Sequence, residues 1–214
     1  MSVYVLNGKP HFAIMRAYIC KEGSEMKSLR KTAAVVIMAA MAFSMCACSK
    51  AEKEKDEAGG DKKYEKKFGS YEVSEGWVEV SSHSNPPFYF SYCQDGHDKD
   101  DLPNNIAVYR GEDKYSADDI AFKDDILATL NRQVEGLEGT TVTGSGITSD
   151  KGYPVYMFEI KTPDDRTIQY YIAGEKEYVM VSAAIYDEDM AKEDKTEEVA
   201  KGIVDSFEWD DQGE

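Results

Sequence analysis

YPVYMFEIKTPDDRTIQYYIAGEKEYVMVSAAIY, Tyr153 to Tyr186, contains three runs of strand-forming residues separated by two short polar turns. The runs Tyr153 to Thr162, Thr167 to Ala173 and Tyr178 to Tyr186 are rich in Tyr, Ile, Val and Phe, which suit a pleated, half-buried surface. Pro163-Asp-Asp-Arg166 and Gly174-Glu-Lys-Glu177 carry residues that favour tight turns. Connections this short join antiparallel neighbours, because a parallel crossover needs a dozen residues or more. The stretch therefore predicts an antiparallel meander. Along the first run Tyr156, Phe158 and Ile160 fall on one side and Val155 and Met157 on the other, so both faces of the sheet need at least partial cover.

Upstream, Thr140 to Thr148 reads as a further strand, with Gly144-Ser145-Gly146 as a bend within it. Before that, Ser116-Ala-Asp-Asp119 matches a capping box, and Ile120, Leu127, Leu130, Val134 and Leu137 recur at helical steps. The spacing predicts a helix of about five turns ending near Gly136. Ser70 to Val73, Trp77 to Val80, Phe88 to Cys93 and Asn105 to Arg110 read as strands, and Lys195 to Phe207 as an amphipathic helix through Val199, Ile203, Val204 and Phe207. Short strands, a helix, a meander and a final helix make an α+β domain, an antiparallel sheet with helices packed on it.

Within this order, Tyr71-Glu-Val-Ser-Glu-Gly-Trp77 resembles the "LPxGW" opening of PsbP-like domains, a group that includes DcrB-like envelope lipoproteins. Ser74-Glu75 stands where that motif has its Pro. The strand Asn105-Ile-Ala-Val108, the helix after it, Gly152-Tyr-Pro-Val155 before a long strand, and the ending Ile203-Val-Asp-Ser-Phe207 follow in the same order, over most of residues 68–209. The resemblance implies an α/β/α sandwich in a family of mostly accessory, assembly or unassigned function, and it supplies no catalytic residues.

The rest of the chain reads as an address. Met26-Lys-Ser-Leu-Arg-Lys31 is a basic segment and Thr32 to Phe43 an uncharged run, the n-region and h-region of a secretory signal over residues 26–47. Cys46-Ala47-Cys48 resembles the lipobox of bacterial lipoproteins, which implies cleavage after Ala47 and a diacylglyceryl group, with palmitate-type chains, on Cys48. Met45 stands where the family usually has Leu, and Cys46 is a second candidate for the modified residue. Two acyl chains suffice for stable anchoring, at about 0.8 kcal/mol per buried CH₂. A plain transmembrane anchor is the alternative, although the uncharged run is near the lower limit of about 17 residues for a span. Both readings place the domain on the extracytoplasmic face of the cell membrane. Residues 1–25 precede a complete signal and read as a mis-called leader, with Met26 as the true start; Lys21-Glu22-Gly23 can be encoded by a purine-rich ribosome-binding site. Residues 48–67 then form the lipidated Cys and a flexible charged tether, leaving 68–214 as one domain.

From Phe68 onward the 214-residue chain holds 12 Lys and Arg against 33 Asp and Glu, a net charge of −21. Such a field repels polyanions and argues against nucleic acid as a partner; it leaves an envelope protein partner or a cation. Cys93 is the sole cysteine of the domain, so no disulfide forms within it, and it reads as a buried small hydrophobe closing its strand. His83 and His97 lack zinc-site spacing, and no nucleophile elbow or dinucleotide fingerprint is completed around Gly144, so no catalytic constellation is found and a hydrolase is the weaker alternative. The remaining site candidate is the loop Asp95-Gly-His-Asp-Lys-Asp-Asp101. Its four carboxylates, Asp95, Asp98, Asp100 and Asp101, could supply oxygens to calcium, although the spacing is not that of an EF-hand and a solvated acidic loop explains it as well. The expectation is thus a membrane-anchored binding or assembly module, with a ligand or calcium receptor as the alternative. The many strand tyrosines suit core packing, or a recognition platform if one face stays open.

Overall fold

The computed structural model describes residues 60–210. The leader, the signal, Cys48 and the tether up to residue 59 lie outside the described residues. Among those described, no helix is long and apolar enough to cross a membrane.

The folded domain begins before Phe68, which corrects the tether boundary. Lys62–Lys66 is a strand, β1, paired antiparallel with β2, Gly69–Val73, with Tyr64 opposite Tyr71. KKYEK has a single apolar residue, yet Tyr64 is only 2% exposed. Its ring stacks on Tyr71 at 6.1 Å and meets Tyr92 edge-on at 5.2 Å, while the Lys62 and Lys66 ammoniums sit 5.0 and 4.9 Å from its centroid. One deeply seated aromatic holds the strand, and Lys66 is drawn in beside it, its ammonium on Glu79 at 3.0 Å and 4.1 Å from the Phe90 centroid. A two-residue strand, β10 (Glu208–Trp209), joins the other edge of β2 to complete a three-stranded sheet.

The larger sheet has seven antiparallel strands. These are β3 (Trp77–Glu79), β4 (Tyr89–Gln94), β5 (Asn105–Glu112), β6 (Thr141–Thr148), β7 (Pro154–Lys161), β8 (Arg166–Ala173) and β9 (Glu177–Ile185), in the spatial order β3-β4-β5-β9-β8-β7-β6. The meander expected from Tyr153 to Tyr186 is β7-β8-β9, and β6 extends it by one strand. The bend expected at Gly144-Ser145-Gly146 is absent: these residues pair without a break opposite Phe158, Met157 and Tyr156.

Each face of the large sheet is covered, as the alternation in β7 demanded. On one face Val155, Tyr170, Ile172, Val181, Ile106 and Val108 pack with the small sheet and with the helix α3, Thr196–Ser206. That helix buries Val199, Ala200, Ile203 and Val204, and full burial of each larger aliphatic stabilises the fold by roughly 1.5–3 kcal/mol. Tyr71 and Tyr92 close the join between the two sheets with a buried hydroxyl–hydroxyl hydrogen bond of 2.7 Å. On the opposite face lies α1, Ile120–Gln133, whose Phe122 sits among Tyr156, Tyr171 and Tyr178 at centroid distances of 5.8, 6.0 and 5.5 Å. The tyrosines of this face are therefore packed under a helix.

Two helix ends differ from the sequence expectation. The cap of α1 is Asp119, whose carboxylate accepts from the Ala121 N–H at 2.9 Å; Ser116 instead donates its hydroxyl to Asp118. A short helix unseen in the sequence, α2 (Glu188–Glu193), is capped by Asp187, which accepts from the N–H groups of Asp189 and Met190. Buried Asn104 fixes that corner by accepting from the N–H groups of Tyr186 and Asp187 and donating to the Asp187 carbonyl.

Candidate binding groove

At one end of the large sheet, the turns that enter and leave its central strands meet the last strand of the small sheet around a groove of about 600 Å³. Its lining includes Phe68 and Trp209, Phe88 and Arg110, Tyr153 and Pro154, and Ala173, Gly174, Glu175 and Glu177 of the β8–β9 turn. Chain order explains the convergence. Phe68 follows β1, Phe88 precedes β4, Arg110 lies near the end of β5, Tyr153 and Pro154 open β7, and Gly174 to Glu177 link β8 to β9.

The aromatic wall is held from behind. Trp209 meets Phe207 edge to face at 4.9 Å, and Phe207 stacks on Phe68 at 6.4 Å. Gly174 lies so close to the indole that a Cβ there would come within 2.8 Å of the ring, so glycine is what lets the β8–β9 turn close against Trp209. The buried indole N–H of Trp209 has no acceptor, an unspent donor in the wall. Phe88 is 48% exposed, an unusual position for a large aromatic in a domain that buries most of its own.

Arg110 gives the groove its charge pattern. Its Nε donates to Glu177 at 2.8 Å and its Nη1 to Glu112 at 3.0 Å, and its guanidinium lies 5.8 Å from the Phe88 centroid. Burial works against the guanidinium charge, but the two carboxylates outweigh it and hold the Arg110 pKa above its ordinary value. Lys67, Glu175 and Asp210 complete the charged rim. The β8–β9 turn is fixed by backbone hydrogen bonds from Lys176 to Tyr115 and from Asp113 to Lys176, which dock it on the segment before α1. The lining residues thus combine four aromatic rings with charges of both signs, and include no serine, threonine, cysteine or histidine.

The acidic loop named from the sequence lies elsewhere. It joins the far ends of β4 and β5, whereas Phe88 and Arg110 lie at the groove end of the same two strands. Asp95, Asp98, Asp100 and Asp101 are all exposed, and Asp100 pairs with His97 Nδ1 at 2.7 Å. Among the described residues no three carboxylates, histidines or cysteines group to hold a metal ion, so the loop as folded does not gather its four carboxylates. Cys93, beside that loop, is buried at 1% exposure; burial pushes its thiol pKa up and the nearby Asp98, Asp100 and Asp95 push it further, which keeps it protonated and unreactive. The sequence reading missed the groove because its residues are scattered from Lys67 to Asp210. The one available signal was Trp209, an isolated aromatic in the acidic stretch after the last helix.

No protein-family model and no curated protein matches the chain. Solved structures resemble it at the level of fold. The cyanobacterial PsbP of Synechocystis sp. PCC 6803 is similar over 74% of this chain and 98% of its own, at 12% identity and a TM-score of 0.47. A protein from Bacteroides thetaiotaomicron is similar over 73% of this chain and 50% of its own, at 12% identity and a TM-score of 0.38. A Pseudomonas aeruginosa protein of unknown function is similar over 65% of this chain and 92% of its own, at 12% identity and a TM-score of 0.35. The α+β topology rests on the strand pairings above.

Proposed function

We propose that the chain is a lipoprotein, anchored through diacylated Cys48 on the extracytoplasmic face of a bacterial cell membrane, whose domain binds an envelope protein through the Phe88–Trp209 groove. The groove is the observation that carries this reading. An exposed aromatic, Phe88, facing a groove of partly buried rings and charges of both signs is the make-up of a protein contact, where a few aromatics and an Arg supply most of the binding energy. Nothing in the lining offers a nucleophile with a base beside it, so the groove suits holding a partner's apolar side chain better than cutting a bond. The anchor is supported by the basic segment, the uncharged run and the Ala47-Cys48 step. The chain enters β1 at Lys62, while Lys67 and Phe68, just past the other end of that strand, line the groove.

The test places a photo-crosslinking amino acid at Phe88, and at Lys63 as a control, in the full chain in cells. A single protein adduct at Phe88, absent at Lys63 and lost in Trp209→Ala and in Cys48→Ala, is expected, together with an intact mass that shows two acyl chains on Cys48. Equal adducts at both positions, or an unmodified Cys48, would overturn the reading.

A further inference from the structure

The two sheets have four edges, and three are guarded in ordinary ways. β3 is three residues long, β10 is two, and β1 carries Lys62, Lys63 and Lys66. Short edges and lysines discourage another strand from pairing there. The fourth edge, β6, has none of these protections. TVTGSGIT is eight residues long, contains no charge and no proline in a chain in which 31% of residues are charged, and pairs with β7 without a bulge from Thr141 opposite Lys161 to Thr148 opposite Pro154. Five of its eight residues are exposed. In an antiparallel ladder every second residue points its N–H and C=O away from the existing partner, so about four residues of β6 offer an unfilled donor and acceptor pair at the sheet edge.

We propose that β6 is a docking edge for strand addition, and that its occupant is an extended segment of another protein carrying Lys or Arg at its ends. Main-chain pairing supplies affinity in such contacts, and charges beside the strand supply selection. Carboxylates flank both ends of β6 in the chain, Glu135 and Glu138 before it and Asp150 after it; of the two lysines beside them, Lys151 is engaged by Glu208 and Lys161 stands opposite Thr141 on the inner neighbour β7. A second copy of this chain would bring up another domain of net charge −19, counted from Gly60 so as to include β1, with the same acidic ends. The uncharged strand between carboxylates therefore selects for a basic-flanked partner and against itself. This inference stands on the sheet edge alone and does not rest on the Phe88–Trp209 groove.

The test uses the full chain in detergent micelles and a synthetic peptide of alternating Val and Thr with two Lys at each end, beside the same core with Glu at each end. Hydrogen exchange by mass spectrometry should show slowed exchange in Thr141 to Thr148, and the Lys-ended peptide should bind about tenfold more tightly than the Glu-ended one. Gly146→Lys should weaken that binding about tenfold with an unchanged melting temperature, since a Cβ at 146 meets nothing closer than a Tyr156 ring carbon at 3.9 Å. Ser145→Lys, on the opposite face of the strand, serves if Gly146→Lys fails to fold. Trp209→Ala should leave the effect intact, which separates this edge from the groove. No slowing in β6 at millimolar Lys-ended peptide overturns the proposal, as does equal binding of the two peptides. Slowing that grows with protein concentration in the absence of peptide overturns it too, since the occupant would then be a second copy.

Discussion

Arg166 shows how one side chain can tie a corner together. It is 15% exposed and reaches three carboxylates: Glu188 through two hydrogen bonds of 2.8 and 3.1 Å, Glu159 at 3.3 Å, and Glu197. These belong to α2, β7 and α3, so the guanidinium pins both C-terminal helices to the sheet. Replacing it with Ala leaves carboxylates facing one another, and the loss should be roughly 1.5–3 kcal/mol near pH 7, the range for hydrogen bonds to charged groups. The pH dependence has a defined sign. The hydrogen bond from Arg166 holds the Glu188 carboxyl below its usual 4.5, so this stability is present above that pH and is lost as pH falls through the lower folded value. Because the partners are half exposed, solvent screens much of the effect. Thermal unfolding of wild type and Arg166→Ala should therefore show a clear gap at neutral pH that narrows as pH falls below the ordinary carboxylate value of 4.5. A constant gap would mean that packing of the Arg stem, and not its charge, is what matters. In the sequence Arg166 read only as the last residue of a turn, because its partners at 159, 188 and 197 are brought to it by the fold. Cys93, by contrast, was legible, since burial of a strand-end cysteine follows from its apolar neighbours alone.

At the scale of elements, the meander strands and α3 were legible because their periodicity is set by one buried face each. β1 and α2 were not: each buries one hydrophobic residue, Tyr64 and Ala191, and apart from the partly buried Met190 leaves charge at the other positions. α1 lies between these cases. Its spacing announced a helix, yet Ile120 is 65% exposed and only Phe122 and Leu130 are buried. The apolar stripe read from Ile120 to Leu137 thus overstates how firmly the helix is seated. Its amides should exchange faster than those of β5 and β9, which are hydrogen-bonded on both sides at the centre of the sheet. Phe122→Ala should cost about 3–5 kcal/mol, the usual range for removing a buried aromatic, and bring α1 exchange close to that of an unfolded segment while β5 and β9 open only with the whole domain. Equal protection in α1 and β9 of the wild type would show that the helix opens only with the sheet.

For the molecule as a whole, the sequence yielded the class of fold but drew the start of the domain too late and did not show the groove, for one shared reason. Both β1 and the groove exist through contacts between residues far apart in the chain: Tyr64 with Tyr71 and Tyr92, and Phe68 with Phe207. Local composition labels KKYEKK as tether because it cannot register the pocket that waits for Tyr64. This difference can be measured. A chain beginning at Gly60 retains β1 and should melt like the full protein. A chain beginning at Phe68 loses a tyrosine that is 2% exposed, and the strand that covers Tyr71 and Tyr92, at a cost of at least about 3–5 kcal/mol. For a domain of this size that corresponds to a melting temperature lower by roughly 10 °C or more. Equal melting temperatures would return residues 62–66 to the tether. If β1 belongs to the domain, the chain between Cys48 and the first paired residue, Lys62, is Ser49 to Asp61, a length that spans at most about 45 Å when fully extended. β1 then does two jobs: its Tyr64 seals the join between the sheets, and its far end carries the chain into Lys67 and Phe68 of the groove.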